Sequence, residues 1–260
     1  MEVTHLLAPN PGRFTGPGTN TWILDSEGEV VVVDPGEVIE SHHERILAEV
    51  GERSVVGVLV THTHVDHAPL ANPLAADLDV PAIGYAPGPQ FDPDTRVGEG
   101  DEIRFGAETL QVLHTPGHAD DHLCFVVGTE MFTGDHIMGG STVMIEDLTA
   151  YLRQLRRMRD LTLTRLFPGH GPVIDEPQAV IDHYIEHRLD RERQIIEALG
   201  TGTDTIGDVV QLVYSDVATE LHPLAAYSVA AHVRKLVDDG VVDFTETEDL
   251  WKSIVRLASA

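Results

Sequence analysis

The sequence predicts a mixed α/β body followed by a smaller appendix of two helices and a hairpin. Three observations carry this. Apolar, β-branched runs at 30–33 and 55–60 alternate with an amphipathic segment between them, which gives a β-α-β order. The runs stop at turns that hold histidine or aspartate. After Gly200-Thr201-Gly202 the pattern changes to two helical segments and a closing pair of strand-like runs.

Taken in order, residues 21–24 and 30–33 flank the turn-prone Asp25-Ser26-Glu27-Gly28 and read as a hairpin. Asp34-Pro35-Gly36 stops the second strand. Residues 41–51 place Ile46, Leu47 and Val50 at helical spacing, with His42 and His43 expected on the surface. The run at 55–60 is the next strand. A helix should follow His67, with Pro69 and Pro73 confined to its start. Strands then read at 101–105, 109–114, 123–127 and 131–133. Residues 148–160 form an amphipathic helix, Leu152, Leu155 and Met158 inward, with Arg153, Arg156, Arg157 and Arg159 over much of the rest. A last strand at 163–167 precedes a long helix at 177–199. In the appendix, 205–214 and 225–240 read as helices, and 241–245 with 251–255 as a hairpin that resembles the wing of a winged helix. The expected organisation is a catalytic domain at 1–176, a linking helix at 177–200 and a winged-helix-like domain at 201–260.

Chemistry enters with seven side chains set just beyond these strands. His62, His64, Asp66 and His67 lie in Thr61-His62-Thr63-His64-Val65-Asp66-His67, directly after the run at 55–60. His118 follows Thr115-Pro116-Gly117, Asp135 follows Thr133-Gly134, and His170 follows Phe167-Pro168-Gly169. His62 and His64 are two apart, so in an extended segment they point the same way and can clasp one ion. A catalytic zinc takes three protein ligands and keeps one position open. The seven donors divide accordingly: His62, His64 and His118 for one cation, Asp66, His67 and His170 for the other, and Asp135 between them. Donors that are all nitrogen or oxygen favour zinc and accept iron or manganese. The expected mechanism is attack by a metal-bridging hydroxide, with Asp66 orienting it and His122, four residues after His118, near enough to serve the leaving group.

The ligand pattern resembles that of the metallo-β-lactamase superfamily, whose signature is HxHxDH followed by three downstream ligands. Asn10-Pro11-Gly12-Arg13-Phe14-Thr15, Gly18-Thr19-Asn20-Thr21, Asp120-Asp121-His122-Leu123, Glu146-Asp147-Leu148 and His183-Tyr184-Ile185-Glu186-His187-Arg188 are similar to the branch with a C-terminal winged helix. That branch includes β-lactamase-like protein 2, an endoribonuclease, and thioesterases. The resemblance implies a four-layer αβ/βα sandwich, of α/β (α+β) class, with the metals at one edge. It implies hydrolysis of an ester or thioester, or of a phosphodiester in single-stranded RNA.

Composition narrows the partners. Forty-three acids against seventeen bases leave a net charge of −26, and Lys235 and Lys252 are the only lysines. In residues 201–260, Arg234, Lys235, Lys252 and Arg256 face ten carboxylates, a net of −6. Phosphate backbones are held by cationic contacts, so this appendix is expected to act as a lid or dimer contact, and a duplex-DNA regulator is disfavoured. The expected substrate is a small molecule or RNA, and a homodimer is compatible. No apolar run approaches the roughly 20 residues that cross a bilayer, so no membrane partner is expected. Cys124 is the single cysteine and sits in a strand, where a buried, inert thiol is expected. The start of the chain lacks a secretory signal pattern, and a cytoplasmic setting is expected.

So acidic a chain repels itself in dilute buffer, and salt at about 1 M shortens the screening length to roughly 3 Å. The expectation is a protein adapted to high salt. Its melting temperature should therefore climb between low and multimolar KCl; a flat or falling trend in a calorimetric titration would contradict this.

Overall fold

The computed structural model describes residues 1–140 and 143–258. The last two positions of the expected 201–260 domain thus lie outside the described residues. In chain order the elements are β1 (Glu2–Leu7), β2 (Asn20–Ser26), β3 (Glu29–Val33), α1 (Glu40–Val50), β4 (Ser54–Leu59), α2 (Ala71–Leu78), β5 (Ala82–Gly84), β6 (Thr95–Arg96), β7 (Glu102–Phe105), β8 (Glu108–His114), β9 (Leu123–Val127), β10 (Glu130–Gly134), α3 (Leu148–Arg159), β11 (Arg165–Pro168), α4 (Pro177–Gly200), α5 (Ile206–Val213), α6 (His222–Asp238), β12 (Val242–Thr245) and β13 (Ile254–Leu257). No described helix is long and apolar enough to cross a membrane.

Contacts divide the chain into two units. One holds Met1–Val143 with Asp160–Val180; the other holds Met144–Arg159 with Ile181–Ala260. Helix α3 therefore groups with the C-terminal unit, although it lies within the first 176 residues.

The first unit is built on two sheets. One has the order β1-β2-β3-β4-β5-β6 and the other β11-β10-β9-β8-β7. Their inner faces share one core, in which Trp22, Leu24, Val31 and Leu59 meet Phe105, Leu110, Phe125, Phe132 and Phe167. The outer face of the first sheet buries Ile23, Val30, Val32 and Val58 against Ile46 and Val50 of α1 and Leu74 of α2. Strands buried on both faces explain why β2 and β3 read as continuous apolar runs instead of alternating ones. The parallel pairing of β3 with β4 puts the ends of both strands side by side. The parallel pairing of β10 with β11 does the same in the second sheet. This is why residues far apart in the chain emerge together.

The surface expectation for His42 is corrected. It is fully buried, its Nε2 2.9 Å from Thr21 Oγ1, because His42, Ile46 and Val50 share the face that α1 turns inward. Strands β5 and β6, of three and two residues, carry no sequence pattern long enough to announce them.

In the C-terminal unit, α5 and α6 pack Ile206, Val209, Val229 and Val233 together with Ile195 and Leu199 of α4, and β12–β13 forms an antiparallel hairpin. His232 is buried in this unit, and neither ring nitrogen has a hydrogen-bond partner. Burial, reinforced by Arg188 and Arg191, lowers its pKa to about 3. The unfolded chain takes up this proton near pH 6.5, whereas the folded one stays neutral. Stability from this residue is thus intact above pH 6.5 and drains away as pH falls from 6.5 towards 3. His232→Phe should remove up to about 1.4 kcal/mol per pH unit of that loss. Urea melts of both proteins between about pH 8 and about pH 5 check it; curves that stay parallel would defeat the assignment.

Candidate metal centre

The seven donors leave from strand ends of both sheets. Val60 follows β4, and Thr61 is then clamped by Asp34, the residue after β3. Thr61 donates its backbone N–H to Asp34 Oδ1 at 2.7 Å and its hydroxyl to Asp34 Oδ2 at 2.7 Å. The segment 61–67 therefore leaves the sheet from a fixed start. Thr63 N–H donates to Asp121 Oδ2 at 2.9 Å, which secures the same segment from the second sheet's side.

Two groups of donor atoms result. His62 Nε2 and His64 Nδ1 are 2.9 Å apart, and His118 Nε2 lies 3.0 Å from His64 Nδ1 and 3.3 Å from His62 Nε2. In the second group, His170 Nε2 is 3.2 Å from His67 Nε2 and 3.1 Å from Asp66 Oδ2. Asp135 spans both. Its Oδ1 lies 3.4 Å from His67 Nε2 and from His170 Nε2, and its Oδ2 is 3.7 Å from His118 Nε2. The structure thus brings His62, His64, Asp66, His67, His118, Asp135 and His170 together, and His62, His67 and Asp135 also lie close enough to form a group of their own.

The spacing is that of ligands around cations. Tetrahedral zinc–nitrogen bonds imply donor–donor edges of roughly 3.3 Å. Asp135 Oδ1 is buried and makes no hydrogen bond, which is costly for a carboxylate unless a positive charge faces it. The electrostatics agree. Burial, with His67 and His118 nearby, holds the His62 pKa well below its ordinary value, so its nitrogen stays a lone-pair donor. Burial also opposes a charge on His170, yet Asp135 and Asp66 prevail and push it up to about 9. Burial would raise Asp135, but His67 and His170 hold it well below the carboxylate range. His62 stays neutral, whereas His170 favours positive charge. Both fit divalent metal.

His122 does not stand where a leaving group could meet it. It is fully buried; its Nδ1 lies 2.9 Å from Thr115 Oγ1 and its Nε2 accepts from Asp135 N–H at 3.2 Å. Both nitrogens are engaged inside the protein, so the expected catalytic role is corrected. His136 is buried beside it, with a pKa lowered to about 3, by burial first and His118 second. His183 and His187 lie on α4 with ring centroids 6.2 Å apart, and belong to no group of candidate ligands among the described residues.

Three anchoring residues escaped the sequence reading. Asp34, also 2.9 Å from His67 Nδ1, sits at a φ of 51°. The partner carboxylate on the far nitrogen fixes the tautomer that leaves His67 Nε2 facing the site. Gly18 O meets His170 Nδ1 at 3.2 Å. Asn20 donates through Nδ2 to Pro168 O and Gly171 O, both at 2.9 Å, and so holds the turn that carries His170. The Asp-Pro-Gly stop after an apolar run was the available signal for Asp34; Gly18 and Asn20 lie in the Gly18-Thr19-Asn20-Thr21 motif, which does not show what they hold.

Comparison with known proteins agrees with this picture. The model of the metallo-β-lactamase superfamily matches residues 14–170, and that of the β-lactamase-associated winged helix domain matches residues 205–251. The chain is 35% identical over 254 residues to the β-lactamase-like protein 2 homolog of Caenorhabditis elegans, covering 93% of this chain and 86% of that protein. It is 34% identical over 234 residues to the atrochrysone carboxyl ACP thioesterase of Aspergillus chevalieri, covering 85% of this chain and 75% of that one. The crystal structure of a metallo-β-lactamase family protein from Thermus thermophilus has the same fold, with a TM-score of 0.80, 20% identity and 98% of each chain covered.

Asp34→Asn keeps the shape of the anchor but turns an acceptor of hydrogen bonds into a partial donor. It should weaken retention of one metal equivalent by about ten- to a hundredfold while the fold persists. Chelator competition against the wild type measures this; equal retention would rule out the anchoring role.

Proposed function

We propose that this chain, which belongs to the metallo-β-lactamase superfamily of hydrolases and carries the associated winged helix domain, cleaves a carboxylic ester or thioester of a small acyl substrate. The observation that carries the reading is the bridge. Asp135 presents Oδ1 to His67 and His170 and Oδ2 to His118, so two sets of donors converge on one carboxylate. His62, His64 and His118 would hold one divalent cation, and Asp66, His67 and His170 the other. Zinc suits this set of nitrogen and oxygen donors best, and iron or manganese are chemically acceptable. When bound, such a pair supplies Lewis acidity to an acyl oxygen and lowers the pKa of coordinated water to about 7.

The chain's own groups do the rest. Asp66 is the more exposed of the two carboxylates, 15% against 6% for Asp135, so it is the one that a reacting water can reach. Burial would raise its pKa, but His170 and His67 hold it down. It therefore remains an acceptor that orients the water and does not retain the proton. Asp34 keeps the His67 ring in place behind it. Val65, exposed between His64 and Asp66, offers an apolar surface beside these groups.

The choice of an acyl substrate over a polyanion draws on charge. A protein at −26 gains little from phosphate backbones, whose binding depends on cationic contacts. The thioesterase relatives point the same way. An RNA substrate is favoured by the whole-chain resemblance to β-lactamase-like protein 2 and by the arginines of α3, Arg153, Arg156, Arg157 and Arg159.

The test is a parallel screen of metal-loaded enzyme against thioesters, esters, phosphodiesters and short RNA, at low and high KCl. Thioester or ester turnover is expected, with kcat falling at least about a hundredfold in Asp66→Ala without loss of fold. Cleavage confined to RNA would overturn the substrate assignment, and undiminished turnover by the variant would overturn the role of Asp66.

A further inference from the structure

His122 is too deep for substrate, yet its two hydrogen bonds connect one ligand-bearing turn to another strand end. The chain between Thr115 and His122 forms the loop that carries His118. That loop is clasped at its base by Thr115 N–H donating to His122 O at 2.8 Å and by the contact of Thr115 Oγ1 with His122 Nδ1 at 2.9 Å. On the ring's other side, Asp135 N–H donates to His122 Nε2 at 3.2 Å.

The partners decide the proton. A backbone N–H can only donate, so His122 Nε2 must present a lone pair. Nδ1 then carries the hydrogen and donates it to Thr115 Oγ1. The Thr115 hydroxyl hydrogen is left for His122 O at 3.3 Å or Cys124 Sγ at 3.4 Å. The hydrogens of the His122 ring and of Asp135 N are thus assigned without conflict. The contact is close on the backbone side as well. Gly134 has a φ of 47°, and a Cβ there would stand 2.8 Å from His122 Nε2.

We infer that His122 is a positioning residue for the metal pair: its neutral, Nδ1-protonated imidazole fixes the bridging carboxylate of Asp135 relative to His118. The inference rests on the metal-binding reading of the site and goes beyond it by naming what sets the register between the two metal positions. Those positions share Asp135, whose Oδ2 lies 3.7 Å from His118 Nε2. A shift of the Asp135 backbone moves one oxygen away from each group of ligands together.

Two substitutions separate the two ends of the ring. Glutamine can place its amide oxygen near the position of Nε2 and still accept from Asp135 N–H. Asparagine ends near Nδ1, so it can donate to Thr115 but leaves Asp135 N–H without its acceptor. His122→Gln should retain two metal equivalents. His122→Asn should hold the second equivalent about ten- to a hundredfold more weakly, the effect expected when a group behind a ligand is lost. Thr115→Val keeps the volume and leaves the imidazole in place, but removes the acceptor of the Nδ1 hydrogen, the same contact that His122→Gln lacks. It should weaken the second equivalent less than His122→Asn and to the same extent as His122→Gln, and it supplies the measurement where the histidine variants fold poorly.

Metal content, chelator competition and the melting temperature of the metal-free protein are read for the full chain and all three variants. Clearly weaker metal retention in His122→Asn, with His122→Gln and Thr115→Val alike and nearer to wild type, supports the assignment. A merely structural histidine would lower the metal-free melting temperature of the variants and leave the affinity of the folded protein unchanged, and that result overturns it. If the wild type itself takes up no divalent metal, the reading of the site fails; if wild type and all variants bind two equivalents equally, only the inference about His122 fails.

Discussion

Lone pairs that would otherwise repel one another are the constraint around which the first unit is organised. His62, His64 and His118 turn ring nitrogens to one point, Asp66 meets His67 and His170 at a second, and Asp135 reaches towards both. Nothing local in the chain favours such crowding. It is sustained because each donor hangs from the end of a strand packed into the sandwich. Moving one would disturb the core shared by the two sheets. The favourable apolar burial and the unfavourable polar convergence therefore belong to a single arrangement.

Behind the donors stands a layer of residues that hold them in place. Asp34 serves both Thr61 and His67, Gly18 O meets His170, and Asn20 holds the turn after β11. These contacts are directional where the core is not. A hydrophobic sandwich tolerates small shifts of one sheet against the other, whereas a carboxylate between two ligand sets does not. The division of labour is clear in the strand ends: valines and phenylalanines set the approximate positions, and hydrogen bonds to backbone and ring nitrogens trim them.

How much of this was legible in the sequence follows from the range of each interaction. The ligands at 62, 64, 66 and 67 share one short segment after an apolar run, so their chemistry reads from neighbouring letters. His118, Asp135 and His170 each follow a strand and a glycine-bearing turn, which made their positions readable, and their convergence was inferred from how seven donors divide between two cations. The winged-helix order of the appendix was readable in the same way, from helical periods and the final hairpin. Asn20 and its acceptors at Pro168 and Gly171 lie 148 and 151 positions apart, and such pairing leaves no periodic trace. His122 misled for a related reason. Proximity to His118 in the chain suggested proximity to substrate, but the strand that begins at Leu123 draws it inward. His42 was readable after all, since it falls four residues before Ile46 on the inward face of α1.

The donors also divide by sheet. His62, His64, Asp66 and His67 follow β4, whereas His118, Asp135 and His170 follow strands of the opposite sheet. Cations held between them would cross-link the two halves of the sandwich, a task that cysteine pairs perform in other proteins and that a chain with one cysteine cannot assign to a disulfide. The lifetime of the folded chain would then be coupled to the supply of metal around it, since a ligand that binds only the folded state stabilises it by mass action.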